Sequence, residues 1–520
     1  MIQPKAKPFF RLTTVLFLAL LWTACERELD FVPAQPQDLS FSRDTVYLDT
    51  VFTNIGSATY NLRVYNKSSK NIAIDQIRLG QGTDSKFRLN VDGMSGQNFQ
   101  NVELLAKDSM YVFVETTVDI KQFAQNAKEF LYHDQLFFDS QSVDLVTLVK
   151  DAIFLYPERD ADGIKEVLPI GEDEDGNIIG IEGFYLEDDE LTFTNEVPYV
   201  IYGYAGVPSG KTAVFEAGTR VHFHENSGLI AASESSVHVM GAPSSDPVAM
   251  ENEVVFEGDR LEPFFEDIPG QWGTMWLTAG STHHIFKHAT IKNATVGILM
   301  DYNDESDQPT LVLEQTQIHN SSSVGLWAKT AHIEAKNSVF GNAGYLSFYG
   351  NIGGQYEFVH CTFANYWNRS FRNTPTVALD DYTPISETEI FVQPLQKAHF
   401  KNCIIDGNQR IEFIVDQQGE QALNFKLEHS SLRFDTMDQN ILSNPYFDFE
   451  NSTFYNSLYR NINTSLKDPQ EQDFRPTQDS EVINKGNKTI AEEVPSDLAG
   501  TSRTEAPDLG AYQHQVFEED

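Results

Sequence analysis

The sequence predicts an all-β chain: an antiparallel sandwich followed by a long array of short, stacked strands. Three observations carry this reading. Alternating or β-branched stretches separated by Gly, Asn, Ser or Asp turns fill the first 150 residues. Beyond about residue 199 the strands shorten and recur, and from about residue 284 six of them can be set in register by hand. Apolar residues at helical period over a helix length are absent. With 41% apolar and 12% aromatic residues in 520, the chain has ample material for cores and lies outside the disordered class.

The first element is a targeting segment. Lys5, Lys7 and Arg11 precede an apolar run from Leu12 to Leu21, too short for an ordinary membrane span but suited to a secretory signal. The run ends Leu21-Trp22-Thr23-Ala24-Cys25, which resembles a bacterial lipobox, although Trp22 departs from the usual aliphatic. That resemblance implies that residues 1–25 are a lipoprotein signal segment ending at a lipidated Cys25, and that the protein is anchored to the outer membrane. Glu26, Glu28 and Asp30 resemble the acidic start that sends some Bacteroidota lipoproteins to the cell surface. Cys361 and Cys403 are the other cysteines, so no disulfide scaffold is expected, and both are read as buried thiols.

Residues 31–150 form the sandwich. Strands are expected at Asp44-Thr45-Val46-Tyr47-Leu48, Asn61-Leu62-Arg63-Val64-Tyr65, Ile72-Ala73-Ile74, Met110-Tyr111-Val112-Phe113-Val114 and Leu145-Val146-Thr147-Leu148-Val149. Short strands with polar outer faces point to an Ig-like module without its Cys-Trp-Cys signature, serving as a spacer. An acidic linker follows over 151–198. Its stretches Asp160-Ala161-Asp162-Gly163 and Glu172-Asp173-Glu174-Asp175-Gly176-Asn177 place Asp160, Asp162, Asp173 and Asp175 as candidate Ca2+ ligands. Neither supplies a complete EF-hand ligand set, and solvated acidic turns are the competing reading.

The array occupies 199–515. Its six best segments begin at Phe286, Leu313, Ala335, Phe358, Phe400 and Leu427. Each places a polar turn residue two positions later, a small residue three later and an apolar residue five later. Asn293, Asn320, Asn342 and Asn365 follow the final apolar residue in four of them, and the offsets of 27, 22 and 23 residues match one coil of a parallel β-helix. The 42-residue step from Phe358 to Phe400 needs a long loop or an extra coil. The small residue gives the backbone room to turn, the large apolar ones fill the interior, and Asn tolerates left-handed backbone at a corner.

Residues 199 to about 515 thereby resemble the right-handed parallel β-helix, or pectin-lyase-like, domains of secreted Bacteroidota proteins. Gly270-Gln271-Trp272-Gly273-Thr274-Met275-Trp276-Leu277 and Ile291-Lys292-Asn293-Ala294-Thr295-Val296-Gly297-Ile298 look like their rung phrasing. Val482-Ile483-Asn484-Lys485-Gly486 and Ala506-Pro507-Asp508-Leu509-Gly510-Ala511-Tyr512 resemble their closing segment. The resemblance implies a fold more than a function, since such scaffolds carry lyases, hydrolases, adhesins and proteins without chemistry.

Two functions remain in play. The first is recognition of a glycan or a cell-envelope protein. Here Tyr302, in the acidic insert 301–307, and Tyr366 and Trp367 are candidates to stack on sugars, with Arg372 or Arg369 pairing a uronate carboxylate. The alternative is a uronate lyase, which needs a base and an electrostatic partner for the developing negative charge; His360, Arg369 and Lys401 are the candidates. His288, His360 and His429 share the turn column, which also explains His360 without chemistry. The pectinase pattern is missing, and Asp380-Asp381 does not replace it; no P-loop, Rossmann, G-x-S-x-G or H-E-x-x-H motif occurs. His222-x-His224 and His283-His284 lack a visible third metal ligand. With 76 acidic against 37 basic residues and a net charge of -39, nucleic acid and anionic membrane surfaces are disfavoured as main partners.

Overall fold

The computed structural model describes residues 29–172, 175–246, 249–303, 306–386 and 388–517, so the signal segment, Cys25 and Asp173 lie outside the described residues. The protein is all-β, and the chain divides after Lys150 into two compact units.

The first unit consists of two sheets facing one core. One is built on Ile72–Leu79, Glu129–Phe138, Gln141–Lys150 and Thr45–Phe52; the other on Tyr60–Asn66, Ser109–Thr116 and Phe87–Val91. Pairing is antiparallel except where Val32–Pro33 joins Ile72–Leu79 and where Gln141–Lys150 joins Thr45–Phe52. Alternation decides which side chains point inward: Val46, Leu48, Leu62, Val64, Val112, Val114 and Leu145 are all buried. Each strand read from the sequence falls on one of these elements, with Asp44 one residue ahead of Thr45–Phe52. Glu129–Phe138 went unread because its inward positions include Tyr132 and Asp134, while Leu131 faces out and is exposed.

In the second unit, each repeat contributes short strands that pair in parallel with the equivalent strands of the next. Phe286, Leu313, Ala335, Phe358, Phe400 and Leu427 are direct partners in succession, and so are Ile291, Ile318, Phe340, Phe363, Ile405 and Leu432. All twelve are buried, with rings stacked between repeats, as Phe340 on Phe363 at 4.8 Å and Phe358 on Phe400 at 5.1 Å. Because Phe358 pairs directly with Phe400, the 42-residue step holds no additional repeat. Its extra length is the loop 366–376 and the hairpin of Tyr382–Pro384 with Ile390–Val392.

Between the two columns the chain bends at one residue. His288, Gln315, Asn337, His360, Asn402 and His429 all have φ between 44° and 52°. Left-handed backbone costs an L-residue roughly 1–2 kcal/mol, so its recurrence in all six repeats is imposed by the stacking. The next residue, Ala289, Thr316, Ser338, Cys361, Cys403 or Ser430, is fully buried against the bend. Asn293 and Asn320 are also left-handed, and Asn320 Nδ2 donates to Asn293 Oδ1 at 2.7 Å. Asn342 and Asn365 differ from the expectation: their φ is not positive, and their side chains bond Pro469 O and Ala343 O.

A further set of parallel strands closes each repeat: Tyr204–Val207, Gly228–Ala231, Trp272–Leu277, Ala294–Asp301, Val324–Lys329, Leu346–Asn351, Val377–Asp380 and Phe413–Asp416, in that order across one sheet. The hairpin of Val167–Glu172 and Ile178–Tyr185 extends the sheet at its first edge. The C-terminal residues lie on the outside of the repeats. Phe474 and Tyr512 cluster with Val339 and Ala364, Ile490 and Val494 cover Val359, and Gly510 N donates to Asn402 O at 2.8 Å. The segment expected to close the array is thus laid across the outside of the repeats.

Candidate functional site: an aromatic stripe on the closing sheet

The residues named for catalysis do not converge. His360 is fully buried beneath the C-terminal segment: its Nδ1 faces Gly510 O at 3.3 Å and its Nε2 accepts from Asn402 Nδ2 at 2.8 Å. Burial, then the nearby Arg503 charge, push it well below its ordinary pKa, so it is a neutral corner residue with no path to substrate. Lys401 projects from the outer face of another column and donates to Glu357 Oε1 at 2.5 Å. Burial works against its charge, but Glu357 outweighs burial and raises its pKa, which disqualifies it as a base at neutral pH. Lys397, His399 and Lys401 share one strand, with Glu357 in the repeat before pairing both lysines and Glu428 in the repeat after bonding His399. Arg369 is exposed on loop 366–376.

The binding candidates separate. Arg372 is a core residue: its guanidinium pairs with Glu412 at 2.8 and 3.0 Å and donates to Asn365 O, Thr374 O and Asn408 Oδ1. The two side chains are 1% and 0% exposed, so no ligand carboxylate can reach the guanidinium. Trp367 is buried, its indole N–H donating to Ser370 Oγ at 2.9 Å. Tyr366 is half-buried against the Phe474 cluster and donates to Asp406 Oδ2 at 2.7 Å; burial and that carboxylate raise its pKa. Tyr302 is the exception, exposed directly after Asp301 at the end of a closing strand.

At the calcium candidates, Asp160 Oδ1 is occupied within its own turn, accepting from the backbone N–H of Asp162 and Ile164 at 2.9 Å each. Among the described residues no group of three or more His, Cys, Asp or Glu is placed to hold a metal ion. His222 and His224 make separate contacts, with Gly258 O and with Asp259, and His284 is buried.

The arrangement best suited to a ligand was not singled out from the sequence. On the outward side of the closing sheet, Ile230, Trp276, Leu299, Trp327, Tyr349, Ala378 and Ile414 are direct partners from strand to strand. Inward neighbours such as Met275, Ile298, Leu326, Phe348 and Phe413 fill the core, so alternation sends this column outward. Ile230 is buried; Trp276, Leu299, Trp327, Tyr349 and Ala378 are half-buried, and Ile414 is exposed. At about 4.8 Å per strand the column runs roughly 29 Å. Trp327 and Tyr349 stack at 5.8 Å with 23° between planes.

Two residues further along each strand runs a polar column of Asp301, Lys329, Asn351, Asp380 and Asp416. It anchors the polar tips of the aromatic residues. Trp276 Nε1 donates to Asp301 Oδ2 at 2.6 Å, Trp327 Nε1 to Asn351 Oδ1 at 3.3 Å, and Tyr349 OH to Asp380 Oδ2 at 2.7 Å. Tyr382, from the inserted hairpin, donates to Asp416 Oδ2 at 2.8 Å, and that bond with the Asp416 charge pushes its pKa up to about 12. Burial raises Asp380 and, with Asp380 itself, Tyr349. Lys329 bonds Asp301 at 3.0 Å and lies over the Trp327 ring at 4.9 Å. The result is a fixed apolar strip with carboxylate and amide oxygens along one side, bordered by Tyr302 and the Tyr382 hairpin. A signal was present in the sequence: Trp327, Tyr349 and Ile414 each lie fourteen residues after Leu313, Ala335 and Phe400, the heads of their repeats.

No family matches the chain, and no curated protein does. Among solved structures it is similar to the ASH / PapD-like domain of human CEP192 (PapD-like domain 7), at 7% identity over 24% of this chain and 95% of that chain. The TM-score is 0.14, a likeness that carries no argument for either unit.

Proposed function

We propose that the protein is a lipid-anchored protein of the outer membrane, displayed at the cell surface, that binds a glycan along the aromatic stripe of a right-handed parallel β-helix. An Ig-like sandwich acts as its spacer. The signal-like residues 1–25 support export and anchoring, and in-register parallel pairing at steps of 22 to 27 residues supports the coil. The observation that carries the binding reading is the strip of Trp276, Leu299, Trp327 and Tyr349 beside hydrogen-bonding side chains held in place by those same rings. Amphipathic rings with fixed polar neighbours suit sugars, which present apolar C–H faces and hydroxyl edges. Recognition is favoured over turnover because His360, Arg369 and Lys401 form no common site.

The test is a glycan panel offered to the chain from Glu26 to Asp520, with binding and product formation followed together. Binding without shortened or unsaturated products, lost in Trp327→Ala, is expected. Turnover abolished by a substitution in the stripe would replace recognition by catalysis, and a Trp327→Ala protein that binds as wild type would remove the stripe from the function.

A further inference from the structure

Charge along the stripe narrows the ligand. The polar column holds three carboxylates, Asp301, Asp380 and Asp416, against one ammonium, and that ammonium is already shared between Asp301 and the Trp327 ring. Asn351 Nδ2 is likewise committed, to Asp380 Oδ1 at 2.8 Å and to Tyr349 OH. What the column offers a ligand is acceptor capacity at Asp301 and Asp416, whose oxygens have lone pairs beyond those that Trp276, Lys329 and Tyr382 fill, whereas Asp380 is buried and taken by Tyr349, Asn351 and the Ile352 N–H. Such a surface accepts hydrogen bonds from hydroxyl donors and repels carboxylates, the more so on a chain of net charge -39. Arg372, the guanidinium that would have answered a uronate, is sealed against Glu412. The strip repeats at about 4.8 Å, comparable to one hexose of an extended chain, so successive sugars meet successive repeats.

Resting on the stripe as the glycan site, we infer that its ligand is an uncharged, extended polysaccharide lying along the stack of repeats, and that polyuronates are excluded. Sugar rings cover the apolar strip, and their hydroxyls donate to Asp301 and Asp416.

The experiment is calorimetric titration of the chain from Glu26 to Asp520 with neutral hexasaccharides (gluco-, manno-, xylo- and galacto-linked) and with oligogalacturonate and oligoguluronate of equal length. It is repeated for Trp327→Ala, Asp416→Lys and Arg369→Ala. The expected result is a neutral oligosaccharide bound at least tenfold more tightly than any uronate, lost in Trp327→Ala and unchanged in Arg369→Ala. Asp416→Lys should narrow the gap between neutral and uronate ligands. Uronate binding that needs both Trp327 and Arg369 would overturn the neutral class while leaving the stripe as the site. Binding of any ligand that ignores Trp327→Ala would overturn the stripe itself, and silence across both sets would overturn both.

Discussion

Arg372 provides the sharpest test of how loop 366–376 is built. Replacing it by Ala removes two charged hydrogen bonds to Glu412 and three more to Asn365 O, Thr374 O and Asn408. Glu412 would keep Thr376 Oγ1 at 2.7 Å and Gln409 N at 2.6 Å but lose its counter-charge while remaining buried. Stranding a buried charge in this way costs about 3–5 kcal/mol, with no solvent screening to discount at 1% and 0% exposure. Burial already raises the Glu412 pKa, and without Arg372 it rises further. An acid whose folded pKa lies above its unfolded value destabilises the fold once it is ionised, so the variant's deficit should be largest above that raised pKa and shrink as pH falls through it. The assay is native-state hydrogen exchange of residues 365–412, where Arg372→Ala should open roughly 10²- to 10⁴-fold more often at pH 8 and clearly less so at pH 5. The pair Arg372→Met with Glu412→Leu should recover most of the loss. A cost under about 1 kcal/mol, or one indifferent to pH, would refute the reasoning.

Other outcomes follow from the same geometry. Gln315→Val, at a φ of 45°, should cost about 1–2 kcal/mol in thermal or denaturant unfolding, whereas Gln315→Gly should be neutral or stabilising. Phe358→Ala should cost about 3–5 kcal/mol by leaving a cavity among Phe340, Phe363 and Phe400. His360, held neutral, and His319, lowered to about 3 by burial, bind protons only on unfolding. Stability should therefore fall as pH drops below the unfolded histidine value near 6.5, and His360→Gln should flatten the slope between pH 7 and 5. Cys361 and Cys403, both free and buried, should resist maleimide in the native protein and label on unfolding.

The sequence was legible wherever one residue type served one purpose. At the head, bend and tail of each repeat the interior takes Phe, Leu or Ile, Ala335 excepted, the left-handed corner takes a polar residue, and the tight turn a small one. Those positions could be aligned across loops of different length. The closing strands were harder, because one face packs in the core and the other is only half-covered: Trp327 and Tyr349 read as ordinary apolar residues until register places them side by side. Arg372 and His360 misled for the opposite reason. Their chemistry suits a ligand or a reaction, but here Glu412 and the Gly510 segment consume it, and those partners lie 40 and 150 residues away. Spacing cannot reveal pairings set by a loop and a returning C-terminal segment. Tyr302 alone among the aromatic binding candidates stays exposed, and an acidic insert after a strand is a local feature.

The central claim, that sugars lie along the stripe one per repeat, is met most directly by titrating the chain from Glu26 to Asp520 with neutral oligosaccharides of two to eight units while following tryptophan fluorescence. The account predicts affinity that climbs with each added unit until the open strip from Trp276 to Ile414, roughly 24 Å, is filled, then levels. It also predicts a fluorescence change that disappears when both Trp276 and Trp327 are replaced by Ala. Affinity that is already maximal for a disaccharide, or length-dependent binding that survives loss of both indoles, would contradict it.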